Sequence, residues 1–332
     1  MKNSEWLNKR TEIAIEPDLE ICDPHHHLWD YPASRYLAEE LIHDLDSGHK
    51  VTSTVYIECA SMYSRKGPTH LHPLGETQFV KNIVESFKQK GLSKINICQS
   101  IVSFADLTHK LVSETLDKHQ NISERVVGIR HANAWHVDKS IRNAHSNPIE
   151  NLFQSSNFLR GFKQLEKRGL SFDAWLYHTQ ISELTLLAKK FPDQIIVLDH
   201  LGGPVGIGPY ADKRQEIFEY WKTAIRNLAE CQNVFAKLGG MAMTLSGFNF
   251  HKYNLPPTSE DLASVTRDYY LYMIDTFGPE RCMFESNFPV DRVSCSYAVL
   301  WNSFKKITRN FSESDKDFLF KGTAQRVYKL NP

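Results

Sequence analysis

Short apolar runs, rich in β-branched residues, alternate with longer amphipathic segments from residue 19 to residue 310 of this 332-residue chain. The runs 19–23, 51–58, 94–101, 125–130, 171–177, 194–199, 233–238 and 281–286 are of strand length and predict eight β-strands. The segments 37–47, 75–90, 106–119, 148–167, 179–191, 212–231, 259–277 and 294–308 carry apolar positions at helical spacing and predict eight helices. Strands that are apolar nearly throughout are those buried on both faces, as in a parallel sheet covered by helices. Eight such units predict an α/β protein of the (β/α)8 barrel (TIM barrel) class, with a single domain over 1–332 and a short N-terminal extension, 1–18. The length suits one such barrel.

In a barrel of this class chemistry gathers where strands end and loops begin. Glu58 ends the second predicted strand, Arg130-His131 the fourth, Tyr177-His178 the fifth, Asp199-His200 the sixth, Lys237 the seventh and Glu285-Ser286-Asn287 the eighth. Loops are polar in any protein, but polar residues at six strand ends point to one functional rim. Three long connections, 59–74, 132–147 and 241–258, leave that rim, and the last, with Gly247, Pro256 and Pro257, is a candidate lid. The most telling stretch is Ile21-Cys-Asp-Pro-His25-His26-His27-Leu-Trp29-Asp30. At a strand end residues i and i+2 share a side, so His25 and His27 present two imidazoles to one point while His26 faces away. Two neutral imidazoles so placed suit one divalent metal, with His200 as third ligand and Asp199 as the acceptor that orients it.

Charge narrows the chemistry. Lys plus Arg and Asp plus Glu number 39 each, so no overall field draws the chain to nucleic acid or an anionic membrane, and a small-molecule substrate is the expectation. The six cysteines stand singly, without a C-x-x-C, which fits a reducing, cytoplasmic setting. The first 20 residues hold no apolar leader and no run is long enough to span a bilayer. Self-association is left open by the sequence.

Five motifs in fixed order give the chain a resemblance to the amidohydrolase superfamily, in its amidohydrolase 2 branch, which includes sugar-lactone and 2-pyrone-4,6-dicarboxylate lactonases. They are Asp23-Pro-His-His-His-Leu-Trp-Asp30, Gly128-Ile-Arg-His131, Leu198-Asp-His-Leu-Gly-Gly-Pro204, Lys237-Leu-Gly239 and Phe284-Glu-Ser-Asn-Phe-Pro-Val-Asp291. The resemblance implies a metal-dependent or metal-independent hydrolase in which His25, His27 and His200 surround the reaction centre. It also implies an Asp on the last strand as general base. Here the chain departs from the branch: Glu285-Ser-Asn287-Phe-Pro replaces the usual Gly-Ser-Asp-Trp-Pro.

An amide has no titratable carboxyl, so Asn287 can position water or substrate but cannot take a proton near neutral pH. Glu285, Asp291 and Glu58 are the carboxylates left to serve, with Asp291 equally readable as a loop cap. Arg130 offers a fork for a substrate carboxylate or a rim salt bridge. Lys237 lies in an apolar strand and must reach the rim or be paired. Tyr177 and His178 stand ready to hydrogen-bond a substrate ring. The expectation is a lactonase that opens a cyclic ester of a sugar acid or carboxylated ring compound. In it the histidines, with zinc or without a metal, polarise the carbonyl. The alternatives are a zinc-dependent non-oxidative decarboxylase of the same branch and a catalytically weakened ligand-binding relative.

Overall fold

In the computed structural model, residues 2–32, 34–90 and 95–330 are described. Eight parallel strands run in sequential spatial order: β1 (Glu20–His26), β2 (Lys50–Ile57), β3 (Asn96–Ser103), β4 (Val126–Arg130), β5 (Ser171–Ala174), β6 (Ile196–Leu198), β7 (Val234–Leu238) and β8 (Cys282–Phe284). Eight helices follow them in turn: α1 (Ala38–Leu45), α2 (Leu74–Lys90), α3 (Val112–Ile122), α4 (Ser156–Glu166), α5 (Ile181–Lys190), α6 (Arg214–Ala229), α7 (Ser259–Phe277) and α8 (Tyr297–Ile307). The predicted (β/α)8 barrel is what forms. Lys94, the first residue of the predicted third strand, lies outside the described residues.

The barrel closes through residues just beyond β8. Asn287 N–H donates to the His25 carbonyl at 2.9 Å and His27 N–H to the Phe288 carbonyl at 2.8 Å, so the seam is written by the residues that carry the candidate chemistry. Beneath the seam Asp23, fully buried, accepts from Ser286 N–H (3.0 Å), Ser286 Oγ (2.6 Å) and Tyr297 OH (3.0 Å). These donors pin the turn before His25 to the turn before Asn287.

Helix boundaries follow local capping. The segment 106–111, predicted helical, is instead a turn because Asp106 Oδ1 takes Thr108 N–H at 2.9 Å and Thr108 Oγ1 at 2.6 Å, offering the backbone an alternative to the helix. The helix predicted over 148–167 starts only at Ser156, because Asn151 is left-handed (φ 56°) and Ser155 caps Phe158 N–H at 3.3 Å. Helix α7 matches its predicted bounds, with Thr258 and Asp261 in a reciprocal capping box.

Past the predicted pattern, the C-terminal segment supplies Ala324, Val327, Tyr328 and Leu330, which pack against Cys22, Val55, Val102, Val197 and Met283 from the strands. Lys321 pairs with Glu20 at the start of β1 (3.1 Å), which places this plug at the end of the barrel away from His25. Among the described residues no helix is long and apolar enough to cross a membrane.

Candidate active site

Three residues from three strands meet first. Glu285, immediately after β8, receives His200 Nδ1–H at 2.5 Å and His200 N–H at 3.2 Å on Oε1, while its Oε2 lies 2.8 Å from His25 Nδ1. The second contact lies off the line of the ring N–H, so Oε2 keeps a buried lone pair without an aligned donor. Burial alone would raise the Glu285 carboxyl, but His200 and His25 outweigh it and hold it down at about 2. Burial pushes His25 down to about 4, with Lys237 adding to the effect, so its imidazole is neutral at pH 7.

Local backbone aims these groups. His200 and Leu201 (φ 54° and 56°) precede Gly202 and Gly203 (φ 69° and 53°), a left-handed run that turns the His200 ring back over the barrel. Room for it comes from the Gly239-Gly240 pair after β7. A Cβ on Gly240 would stand 2.6 Å from His200 Cβ, and one on Gly239 would stand 2.3 Å from Glu285 Cγ. Gly240 also needs its positive φ of 71°. Gly240→Ala is therefore expected to displace the His200 ring and lower kcat at least about tenfold, since catalytic geometry tolerates little misplacement. Unchanged kcat in the folded variant would show that His200 is not held from below.

A second layer carries the charge. Arg130, 5% exposed, donates Nε–H to Glu58 Oε1 (2.7 Å), Nη2–H to the Glu58 carbonyl, and Nη1–H to Asp199 Oδ2 (3.4 Å), with His25 Nε2 also 3.4 Å from Nη1. Of five guanidinium N–H groups, one on Nη2 is uncommitted. Glu58 is reached from the other side by His145 Nε2 at 3.0 Å; burial would raise its carboxyl, but His145 and Arg130 bring it to about 2. Lys237, 0% exposed, sits between Asp173 (2.7 Å) and Asp199 (3.1 Å) and lies 3.1 Å from His25 Nδ1. The Lys237 ammonium is thus paired inside the barrel. Arg130 likewise spends its fork on Glu58 and Asp199.

Asp291 lies 0% exposed, where Asn287 Nδ2 donates to its Oδ1 (2.9 Å) and Ala242 N–H to its Oδ2 (3.2 Å). Burial raises its carboxyl to about 7, against the nearby His200 and the Asn287 amide, which lower it. Asn287 adopts the left-handed conformation (φ 53°) that asparagine tolerates. The start of the predicted lid, 241–258, thus meets Asp291 at Ala242.

Other predicted residues stand elsewhere. His27 shares a side with His25 (ring centroids 4.9 Å apart), but its Nδ1–H is on the Ile57 carbonyl (2.8 Å) and its ring stacks under Trp29. His26 faces away, to Thr54 Oγ1 at 2.8 Å. Strand β5 ends at Ala174, so Tyr177 and His178 belong to the following loop. Tyr177 OH donates to the Arg142 carbonyl and His178 Nδ1 accepts from Val205 N–H (3.3 Å), which leaves both outside the cluster. Asp173 and Trp175 contribute instead, the latter's ring 4.8 Å from that of His200. The alternation along β5 was the available signal, since it puts Asp173 and Trp175 on one side.

Among the described residues, one group could hold a metal: His25, His200 and Glu285, whose ligating atoms lie within 4.8 Å of one another. The donor types suit zinc, but two distances oppose an ion held between Glu285 Oε1 and His200 Nδ1. Ligands around tetrahedral zinc stand about 3.3 Å apart, whereas Glu285 Oε1 and His200 Nδ1 are at hydrogen-bond separation, 2.5 Å. The Lys237 ammonium also stands 3.1 Å from His25 Nδ1, where a dication would meet strong like-charge repulsion.

Comparison with known proteins agrees with this architecture. The amidohydrolase family model Amidohydro_2 matches residues 105–330. An uncharacterized protein, y4mH, of Sinorhizobium fredii is 32% identical over 335 residues, covering 94% of this chain and 99% of its own length. The L-fucono-1,5-lactonase of Burkholderia multivorans is 22% identical, with 93% and 95% covered. A crystal structure of an amidohydrolase from Burkholderia multivorans with bound zinc superposes with a TM-score of 0.73 at 20% identity, covering 94% of this chain and 99% of that one. With a barrel of eight parallel strands, and with a family model matched over more than half its length, the chain belongs to the amidohydrolase family described by Amidohydro_2.

Proposed function

We propose that this protein opens the lactone ring of a sugar acid by water attack, with Asp291 as the general base. The observation that carries the reading is the buried Asp291 carboxyl, held by Asn287 and Ala242 and raised to about 7 beside the His25–Glu285–His200 group. A base is most effective with a pKa near the working pH. Glu285 and Glu58 are poor alternatives, since hydrogen bonds and charge contacts to cationic or imidazole groups hold both at about 2.

The water proton passes to Asp291 as the water oxygen bonds to the lactone carbonyl carbon. The charge that develops on the carbonyl oxygen is met by the uncommitted Arg130 N–H. When the ring C–O bond breaks, Asp291 returns the proton to the departing alkoxide, so lactone and water yield the hydroxy acid. Among the described residues His27 and His200 each keep Nε2 free of protein partners, available to place the water or a substrate hydroxyl. Lactonase-named relatives at 22% identity support the ester specificity.

The test is a pH-indicator assay of sugar-acid lactones with protein dialysed against a chelator. Turnover is expected to persist after dialysis, and kcat/KM to climb as pH rises through about 7, because Asp291 is protonated and idle below its pKa. A profile flat across that range would remove Asp291 from the mechanism. Release of CO2 from an aromatic acid without lactone opening would overturn the hydrolase reading, as would binding with no turnover.

A further inference from the structure

Beside the centre, on the outer shoulder of β2–β4, lies a cavity of about 580 Å3 that the reaction above does not use. Its walls come from the three loops that follow those strands and include Tyr63, Phe104, His109 and His131. His131 is 3% exposed and its Nδ1 accepts Leu107 N–H at 3.2 Å, which fixes the proton on Nε2; that N–H has no protein partner among the described residues. His109 repeats the device: Nδ1 accepts Leu111 N–H at 3.2 Å, leaving Nε2–H as a donor. Beside these donors stand the rings of Tyr63 and Phe104, with centroids 6.3 Å apart and Phe104 edge-on to His131.

Charge is nearly absent. No Lys or Arg lines the cavity, and of its one carboxylate, Asp106, Oδ1 is taken by the Thr108 N–H and hydroxyl. An anion would find no cation to pair with, whereas a sugar ring has an apolar face for the aromatic wall and hydroxyl edges for the imidazole N–H groups. The cavity also adjoins the centre through side chains. Phe104 touches both His131 (5.3 Å) and His145 (6.0 Å), and His145 bonds Glu58, which holds Arg130.

We infer that this cavity binds a neutral, hydroxyl-rich sugar unit, the part of the substrate beyond the lactone ring. The inference rests on the lactonase reading for the word substrate, but its binding test does not. The neutral disaccharide alditol maltitol, titrated by ligand-detected NMR, is expected to bind the wild-type protein and His200→Ala alike. Binding should weaken about tenfold in His131→Phe, and also in His109→Leu, whose side chain is less central to packing, as befits loss of one oriented donor. A disaccharide-derived lactone should then be preferred over its monosaccharide counterpart in kcat/KM, and the preference should shrink in both variants. No saturable binding, or binding that ignores both substitutions, or binding lost only in His200→Ala, overturns the inference. Variant-sensitive binding without turnover of any lactone keeps the cavity assignment and overturns the lactonase reading.

Discussion

Asp291→Asn is expected to lower kcat about a thousandfold, the range of a lost general base, with little change in melting temperature. The fold should tolerate the change because the new amide oxygen can still accept Ala242 N–H, and its NH2 can donate to the Asn287 side-chain oxygen once that amide turns over; Ala242 N–H and Asn287 Nδ2 now reach the carboxyl at 3.2 and 2.9 Å. The decisive measurement is the exchange variant. Asn287→Asp alone places a second carboxyl within 2.9 Å of the first, so one proton is shared and the acid limb of the pH profile should move upward. Combining it with Asp291→Asn restores one amide and one carboxyl in the opposite order and should recover a large part of the lost kcat. If Asp291→Asn keeps full activity, the base lies elsewhere. If the exchange variant stays dead while folded, the carboxyl must be at position 291 and not merely nearby.

The largest effect on stability is expected at Lys237. In Lys237→Met the methyl thioether fills much of the same volume, but Asp173 and Asp199 lose the ammonium now 2.7 and 3.1 Å away and remain 0% exposed. Leaving buried charge uncompensated costs about 3–5 kcal/mol, or roughly 4–7 °C in Tm for a chain of this size. The loss should grow with pH. Burial already raises Asp173 to about 6, above its unfolded value, so its protonated form favours the native state at low pH and that advantage fades as pH rises through the folded pKa. Removing Lys237 extends the effect, and the gap in Tm between wild type and variant should be wider at pH 8 than at pH 6. Adding Asp173→Asn should return part of the stability. An unchanged Tm in Lys237→Met would mean that the pair contributes nothing net.

The barrel could be read from the sequence because burial on both faces keeps the strands mostly apolar, so polar residues gather toward their ends. That same rule exposed Glu58, Arg130, Asp199, His200, Lys237 and Glu285, which do meet. It did not show who pairs with whom. Glu285 joins His25 from 260 positions away and His200 from 85, and only closure of the barrel sets those separations to contact. Asp173 lies inside a strand whose predicted span runs to Tyr177, so the predicted strand end falls at Tyr177, beside His178 and three residues past the observed end at Ala174. The plug carrying Tyr328 lay beyond the strand–helix rhythm, although its hydroxyl reaches Asp173 at 2.6 Å. Gly239 and Gly240 matter for the space they leave, which pattern reading does not register.

Because the seam joins His25 and His27 to Asn287 and Phe288, the last contact to form when the two barrel edges meet is also the one that sets the candidate site. Such long-range closure comes late, after the loop entropy of nearly the whole chain has been overcome. Activity should therefore be the final signal regained during refolding, trailing helix content. The amide protons of His27 and Asn287 should be the reporters that recover protection together with it.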